Sequence, residues 1–312
     1  MTALDAPHYH DEQAAYDYVE RHLWPNGPVC PHCGNSDGAR IRKLAGKSTR
    51  VGVRKCNECR KPFTVKVGTI FEDSHLPMTV WLQAIFLMCS SKKGISARQL
   101  HRLLGEKSSL RTAWHLGHRI RLAMAPEAGK GPLGGPGKTV EADETYLAKS
   151  PKTRKPEGLP FSARPAPQVF SLVERGGNIR SMYLDDRNVR GALGEHLHKD
   201  SRLVTDGALL YRKQVENHEY VDHGAGEYVR GDVHTNTLEG FFSIFKRGLV
   251  GTYQHMDKKH LNRYLAEFDF RMNTRAKLGI NDAQRTGMAI TGAAGKRLQY
   301  KSSDQGEALG DH

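Results

Sequence analysis

Two Cys-x-x-Cys pairs constrain this chain more than any other feature of its sequence. Cys30 and Cys33 form the first pair, Cys56 and Cys59 form the second, and 22 residues separate the pairs. Each pair lets two thiolates reach one ion from a tight turn, and two such pairs complete a tetrahedral zinc site. Because the segment around them is too small for an apolar core of its own, we expect zinc to supply its folding free energy.

The remaining composition indicates a polyanionic partner inside a reducing compartment. The formal net charge is +13, which favours nucleic acid, although a merely basic enzyme is the alternative. The cysteine-rich segment is itself strongly basic, and we predict DNA contacts from Arg54, Lys55 and Arg60. Some zinc ribbons bind only protein, so this prediction depends on the rest of the chain. Paired cysteines, a polar N-terminus and the lack of a long apolar run predict a cytoplasmic protein without membrane contact.

Two regions are expected before the middle of the chain, a zinc ribbon preceded by a helix and then a helical region. Residues 11–67 predict an N-terminal helix followed by the four-cysteine zinc ribbon, and residues 68–128 predict a helical DNA-binding region. In the latter, residues 96–104 and 108–124 give a helix, a glycine-containing turn and a basic helix, which is the pattern of a helix-turn-helix. Arg119 on the second helix is the predicted DNA contact. Helical hairpins that never touch DNA share this pattern.

The texture of the sequence changes after a linker rich in glycine and proline at residues 129–138. Residues 137–276 predict an α/β domain with a central mixed sheet. Its expected strands lie at Thr139–Leu147, Val169–Glu174, Ile179–Asp185 and Arg202–Thr205, and its expected helices at Val189–His198, Asn236–Leu249 and Lys258–Asn273. A basic, proline-rich insertion occupies residues 149–167. Residues 277–312 are rich in small residues and predict a loosely ordered tail.

Three acidic or polar positions in this domain are candidate catalytic residues. Asp143 lies on the first strand, where alternation places it on one face with Glu141. Asp206 follows an apolar strand and precedes a glycine, and such strand ends collect catalytic groups in α/β sheets. Asn236 and Glu239 share one face of a helix. Each position has a plainer interpretation: a solvated edge strand, a turn aspartate, and a capping box with Asn236 as the helix N-cap.

Together the three positions predict a magnesium site. Carboxylates from two strands and a polar ligand from a helix could hold two Mg²⁺ ions roughly 4 Å apart, an arrangement that serves phosphodiester transfer. We expect Asp143, Asp206 and Asn236 to bind these ions, with Glu239 as the competing third ligand. Lys246 and Arg247 follow about two turns later on the same helix and could hold a DNA phosphate.

At these residues the sequence resembles the IS1595 (ISXO2-like) insertion-sequence transposases. The resemblance runs from about Gln13 to Arg275. It is carried by WPNGPVCPHCG (24–34), CNECRKPFTVKVGTIFEDSHLP (56–77), EADETY (141–146), TDG (205–207), HTNTLEGFFSIFKRGLVGTY (234–253) and HLNRYLAEFDFRMNTR (260–275).

The resemblance implies an RNase H-like catalytic domain with an acidic active site that uses Mg²⁺ or Mn²⁺. It implies a DNA transposase that cuts the ends of a mobile element and joins them to target DNA by transesterification. Asp143 and Asp206 match the first two family aspartates, and Asn236 matches the asparagine that many members have third. Two alternatives stay open: a non-catalytic DNA-binding protein derived from a transposase, and a metal-dependent nuclease of the same fold. Joining two ends also implies a homodimer or larger assembly on double-stranded DNA.

Overall fold

The chain divides into two compact units with separate cores. The computed structural model describes residues 3–126, 131–147, 168–184, 188–207, 211 and 215–298. The first unit comprises residues up to Ser90, then Ala97–Met124, and the segment that begins at Asp282. The second comprises Ser91–Ser96 and Ala125–Asn281. The predicted insertion at 149–167 lies outside the described residues.

The first unit contains the zinc ribbon and a group of helices. The ribbon is an antiparallel sheet of β1 (Ile41–Lys43), β2 (Arg54–Cys56) and β3 (Pro62–Phe63). The helices are α1 (Glu12–Leu23), α2 (Met78–Ser90), α3 (Ala97–Leu104), α4 (Leu110–Met124) and α8 (Asp282–Thr291). The predicted boundary between regions 11–67 and 68–128 falls inside this unit, which contains most of both regions together with α8.

Two acidic residues at the start of α1 cap helices: Asp11 caps α1 itself, and Glu12 caps α2. Asp11 caps the helix by accepting a hydrogen bond from the Ala14 N–H at 2.7 Å. Glu12 in turn accepts from the backbone N–H groups of Met78 and Thr79, at 2.6 and 3.1 Å, and so caps α2. Helix α2 is buried on most of its sides, as its continuous apolar sequence predicts, and Cys89 lies in this core.

The predicted loose tail is wrong for residues 282–291, which form α8. This helix contacts α1, α2 and α4, and it buries Ala289 and Ile290. Its small residues permit close packing: a Cβ atom added to Gly287 would lie 2.4 Å from the His22 ring. The same addition at Gly292 would lie 2.3 Å from the Ala123 carbonyl oxygen. Glycine and alanine here indicate close helix approach, not disorder. Residues 299–312 lie outside the described residues.

The second unit is built on a mixed sheet, as predicted, and this sheet has five strands. Its strands are β4 (Thr139–Tyr146), β5 (Gln168–Glu174), β6 (Ile179–Leu184), β7 (Arg202–Asp206) and β8 (His218–Val221), in the order β6-β5-β4-β7-β8. β5 runs antiparallel to both β4 and β6, while β7 runs parallel to both β4 and β8. The sequence predicted the first four of these strands and missed β8.

Helices cover both faces of this sheet. They are α5 (Val189–His196), α6 (Asn236–Gly248) and α7 (Lys258–Asn273). On one face α5 packs against Val140, Ala142 and Leu172. On the other, α6 and α7 pack a group of phenylalanines and leucines against Val169 and Val173. Because β4 residues alternate between these faces, Glu141 and Asp143 point toward the α6 side. None of the described helices combines the length and apolar character needed to cross a bilayer.

Candidate metal centres

The four paired cysteines converge at one end of the ribbon. Their sulfur atoms all lie within 4.8 Å of one another. The Cys30 and Cys59 sulfurs are 3.6 Å apart, and those of Cys33 and Cys56 are 3.8 Å apart. Ligands at about 2.3 Å in a tetrahedron give sulfur separations of roughly 3.8 Å, so these distances fit zinc. The cluster packs against the small core around Ile41 and Phe63.

Hydrogen bonds prepare one of these thiols for metal. The backbone N–H groups of Cys59 and Glu58, with the Asn35 amide, lower the pKa of the Cys56 thiol to about 6. A thiolate is the form that binds metal, and a lowered pKa makes it available near neutral pH. The four cysteines are therefore close enough, and of the right chemistry, to hold a structural zinc ion.

The two candidate aspartates lie on adjacent parallel strands. The register pairs Glu141 of β4 with Val204 of β7, and its continuation by two residues brings Asp143 opposite Asp206. Neighbouring residues of parallel strands point to the same face, here the face covered by α6. Asp206 is the last residue of β7, as the sequence predicted, and Asp143 lies within β4. The solvated-edge interpretation of Asp143 is wrong because β4 is the central strand.

The electrostatics of Asp143 fit a cation-binding role. Burial, followed by the charges of Asp206, Glu144 and Glu239, raises the pKa of Asp143 to about 7. A divalent cation among these oxygens would remove this repulsion, and oxygen ligands are those that Mg²⁺ and Mn²⁺ take. We call Asp143, Asp206 and the first turn of α6 the carboxylate edge. In the described part of the chain, only the four cysteines gather three or more His, Cys, Asp or Glu ligand atoms within 4.8 Å.

Asn236 and Glu239 lie at the start of α6, and both are exposed. The capping-box interpretation is wrong, because Thr235 is the N-cap residue and Asn236 is already helical. Thr235 makes no side-chain cap bond to the backbone, and its hydroxyl donates to the Glu239 carboxylate at 3.2 Å. The negative charge of Glu239 contributes to the raised pKa of Asp143, and the Glu239 carboxylate also lies 3.9 Å from His223 Nε2.

Sequence reasoning missed two polar pairs next to these acids. Glu141 is fully buried and forms an ion pair with Arg175 at 2.9 Å. On the opposite face of β4, the buried Tyr211 hydroxyl donates to the Glu144 carboxylate. An acid on a central strand is a sequence signal for a buried partner, but the partners come from the turn after β5 and from the segment after β7. Nothing in the local sequence identifies them.

The predicted DNA contacts separate into exposed and buried residues. Lys246, Arg247 and Arg60 are exposed, and Lys55 is partly exposed. Arg119 was predicted wrongly, since it is 6% exposed, donates to the Glu72 carbonyl and lies over the Trp81 ring at 5.2 Å. Arg54 is partly exposed, and its contact with DNA stays a prediction.

Arg54 is held by Glu20 through two hydrogen bonds of 2.6 and 3.2 Å. Its guanidinium also lies over the Trp24 ring at 5.8 Å. A phosphate would therefore have to displace a partly buried carboxylate. Arg54 and Arg119 both have partners for their charge inside the first unit, which counting basic residues in the sequence cannot detect.

Comparison with known proteins gives consistent matches across both units. Residues 10–62 match the transposase zinc-ribbon domain, and residues 132–273 match the ISXO2-like transposase domain. A Halobacterium salinarum protein named as an uncharacterized protein in transposable element ISH50 is 29% identical over 288 residues. The alignment covers 86% of this chain and 93% of the relative. No solved structure matches the chain.

Proposed function

The chain belongs to the IS1595 (ISXO2-like) family of insertion-sequence transposases, and we propose that it cuts and joins element-end DNA by metal-dependent transesterification. The observation that carries this proposal is the pairing of β4 with β7, which sets Asp143 beside Asp206 on the face covered by α6. The strand order, with three antiparallel strands and two parallel ones, supports an RNase H-like fold for the second unit.

In this proposal the carboxylates of Asp143 and Asp206 bind two divalent ions, either Mg²⁺ or Mn²⁺. When bound, such ions stabilise the charge that develops on the attacking and leaving oxygens of a phosphodiester. The third ligand comes from the first turn of α6. Asn236 matches the family asparagine, while Glu239 is the stronger ligand because it carries a charge. Both residues are candidates for the third metal ligand.

In this proposal, basic residues of each unit contact the DNA. Lys246 and Arg247 lie about three turns along α6 from Asn236 and are exposed, which suits contact with phosphates. The zinc ribbon contributes Lys55 and Arg60 to DNA binding. The α3–α4 pair contributes a further DNA-binding surface, in a helix-turn-helix-like role. Because transposition joins two ends, we propose a homodimer or larger assembly on double-stranded DNA, acting in the cytoplasm.

The test is incubation of the purified protein with DNA carrying the ends of its element, with Mg²⁺, with Mn²⁺, and with a chelator. The proposal expects nicked ends and joined strands with either metal and neither product with the chelator. Cleavage without joining would favour a nuclease of the same fold. Metal-independent binding with no strand chemistry would favour the non-catalytic DNA-binding alternative, and either result would contradict the proposal.

A further inference from the structure

A buried carboxylate connects the strand that carries Asp143 to the first turn of α6. Glu141 lies two residues before Asp143 on the same face of β4, and its side chain is fully buried. One oxygen, Oε2, accepts from the Thr237 N–H at 3.0 Å and the Leu238 N–H at 3.3 Å. The other, Oε1, accepts from the Thr237 hydroxyl at 2.9 Å.

Glu141 thereby takes the role that an N-cap side chain usually has. The first backbone N–H groups of a helix have no partner within the helix, and a negative charge there is favourable. Thr235, the N-cap residue, makes no such bond with its own side chain. The cap of α6 therefore comes from a residue 96 positions earlier in the chain.

Arg175, the first residue after β5, completes the arrangement. Its Nε donates to Glu141 Oε1 at 2.9 Å, which balances the buried charge. Its two terminal nitrogens donate to the Asp232 carbonyl at 2.7 Å and the His234 carbonyl at 2.9 Å. Arg175 thus fixes the segment that leads into α6, while Glu141 fixes the first turn itself.

We infer that Glu141 and Arg175 form a positioning clamp that holds Asn236 and Glu239 beside Asp143 and Asp206. Neither clamp residue is assigned to the metals: the Glu141 oxygens are taken up by N–H and O–H donors of α6 and by Arg175. The clamp acts through the ligands, as hydrogen-bonding partners behind metal ligands do in other proteins. This inference rests on the proposed function, because it gives the clamp a purpose in metal binding.

Amide hydrogen exchange of Thr237 and Leu238 tests the clamp without any reaction. We expect Glu141→Gln to speed exchange at these two amides on the order of 10- to 100-fold, because each loses a charged acceptor. Glu267→Gln is the matched control in the same unit. Glu267 lies on α7, is also fully buried, is paired with Arg271, and accepts a hydrogen bond from the Tyr253 hydroxyl at 2.7 Å. It should leave both amides protected.

Mn²⁺ binding, followed by electron paramagnetic resonance on the same samples, connects the clamp to the metal. Glu141→Gln should weaken Mn²⁺ binding on the order of 10- to 100-fold, and Glu267→Gln should not. Arg175→Lys is a milder second variant that keeps the charge but cannot bridge both carbonyls. Arg175→Lys should weaken Mn²⁺ binding less than Glu141→Gln does. If Glu141→Gln does not fold, the Mn²⁺ affinity of Arg175→Lys tests the clamp instead.

The outcomes separate the clamp from the proposed function. Unchanged amide exchange in Glu141→Gln overturns the clamp, and so does faster exchange with unchanged Mn²⁺ affinity. If only Arg175→Lys folds, wild-type Mn²⁺ affinity in that variant overturns the clamp. A wild-type protein that binds zinc but no Mn²⁺ contradicts the proposed function instead. Faster exchange together with weaker Mn²⁺ binding, both absent in the control, supports the clamp.

Discussion

The cysteine cluster and the carboxylate edge differ in how the sequence assembles them. The four cysteines come from two short turns within 30 residues, and their sulfurs lie within 4.8 Å of one another. The carboxylate edge combines two strands and a helix, and the contacts that position it span 96 residues. Spacing alone therefore defines the first site, whereas the second exists only when the sheet forms.

Loss of one cysteine should give the largest effect, confined to the ribbon. Cys56→Ser removes a thiolate whose pKa is already lowered, and the module loses most of the roughly 10 kcal/mol or more that zinc supplies. We expect loss of zinc, measured by atomic absorption, and weaker DNA binding. Cys89→Ser is the control, because Cys89 is buried on α2 outside the cluster. Full zinc content in Cys56→Ser would contradict the four-cysteine site.

Removal of the third ligand should lower strand transfer without affecting zinc. Asn236→Ala and Glu239→Ala, compared at equal protein and Mg²⁺ concentration, identify the ligand by the larger loss. We expect that loss to be about 10²- to 10³-fold, the scale of a lost electrostatic contact to the reacting group. Circular dichroism checks that both variants fold. Wild-type rates of strand transfer in both variants would show that neither α6 residue is a metal ligand.

Arg119 distinguishes structural from DNA-binding arginines in the first unit. Because its guanidinium is buried over Trp81, Arg119→Ala should destabilise the unit by about 2 kcal/mol, measured by urea unfolding. Arg98→Ala, an exposed arginine on α3, is the control and should change stability little. If Arg119→Ala kept wild-type stability and lost DNA affinity, the sequence-based assignment would be right after all.

Single basic residues on α6 should have the smallest effects. Lys246→Ala and Arg247→Ala each remove one exposed charge, so we expect DNA affinity to fall at every sequence. The slope of log K against log salt should decrease by roughly 1 for each variant. Lys199→Ala supplies the matched control, since Lys199 is exposed before β7, at the opposite end of that strand from Asp206. An unchanged slope in both α6 variants would exclude this surface from the DNA interface.

Periodicity and turn chemistry predicted most of the helices and strands near their observed bounds. The helix at Lys258–Asn273 and the strand at Ile179–Leu184 are examples, because each has a regular apolar pattern. β8 was missed, since His218–Val221 is short and mostly polar. α8 was missed because glycines that permit close packing look like flexible ones when sequence alone is considered.

The candidate site shows the same limit. Asp143 was found from the acidic alternation along its strand and Asp206 from its place at a strand end, and both signals are carried by local sequence. The capping role of Glu141, the Arg175 pair and the burial of Arg119 depend on contacts between distant segments. A residue's type and spacing indicate which chemistry it can perform, but only the fold determines whether its charge is already engaged.

Strand transfer by Asp143→Asn, with zinc content measured on the same sample, tests the account most directly. The matched control is Asp200→Asn, an exposed aspartate at the other end of β7 from Asp206. The account predicts that Asp143→Asn keeps its zinc and binds DNA but yields no cut or joined strands in Mg²⁺, whereas Asp200→Asn matches the wild type. Wild-type amounts of joined product from Asp143→Asn would contradict the assignment of the carboxylate edge as the catalytic centre.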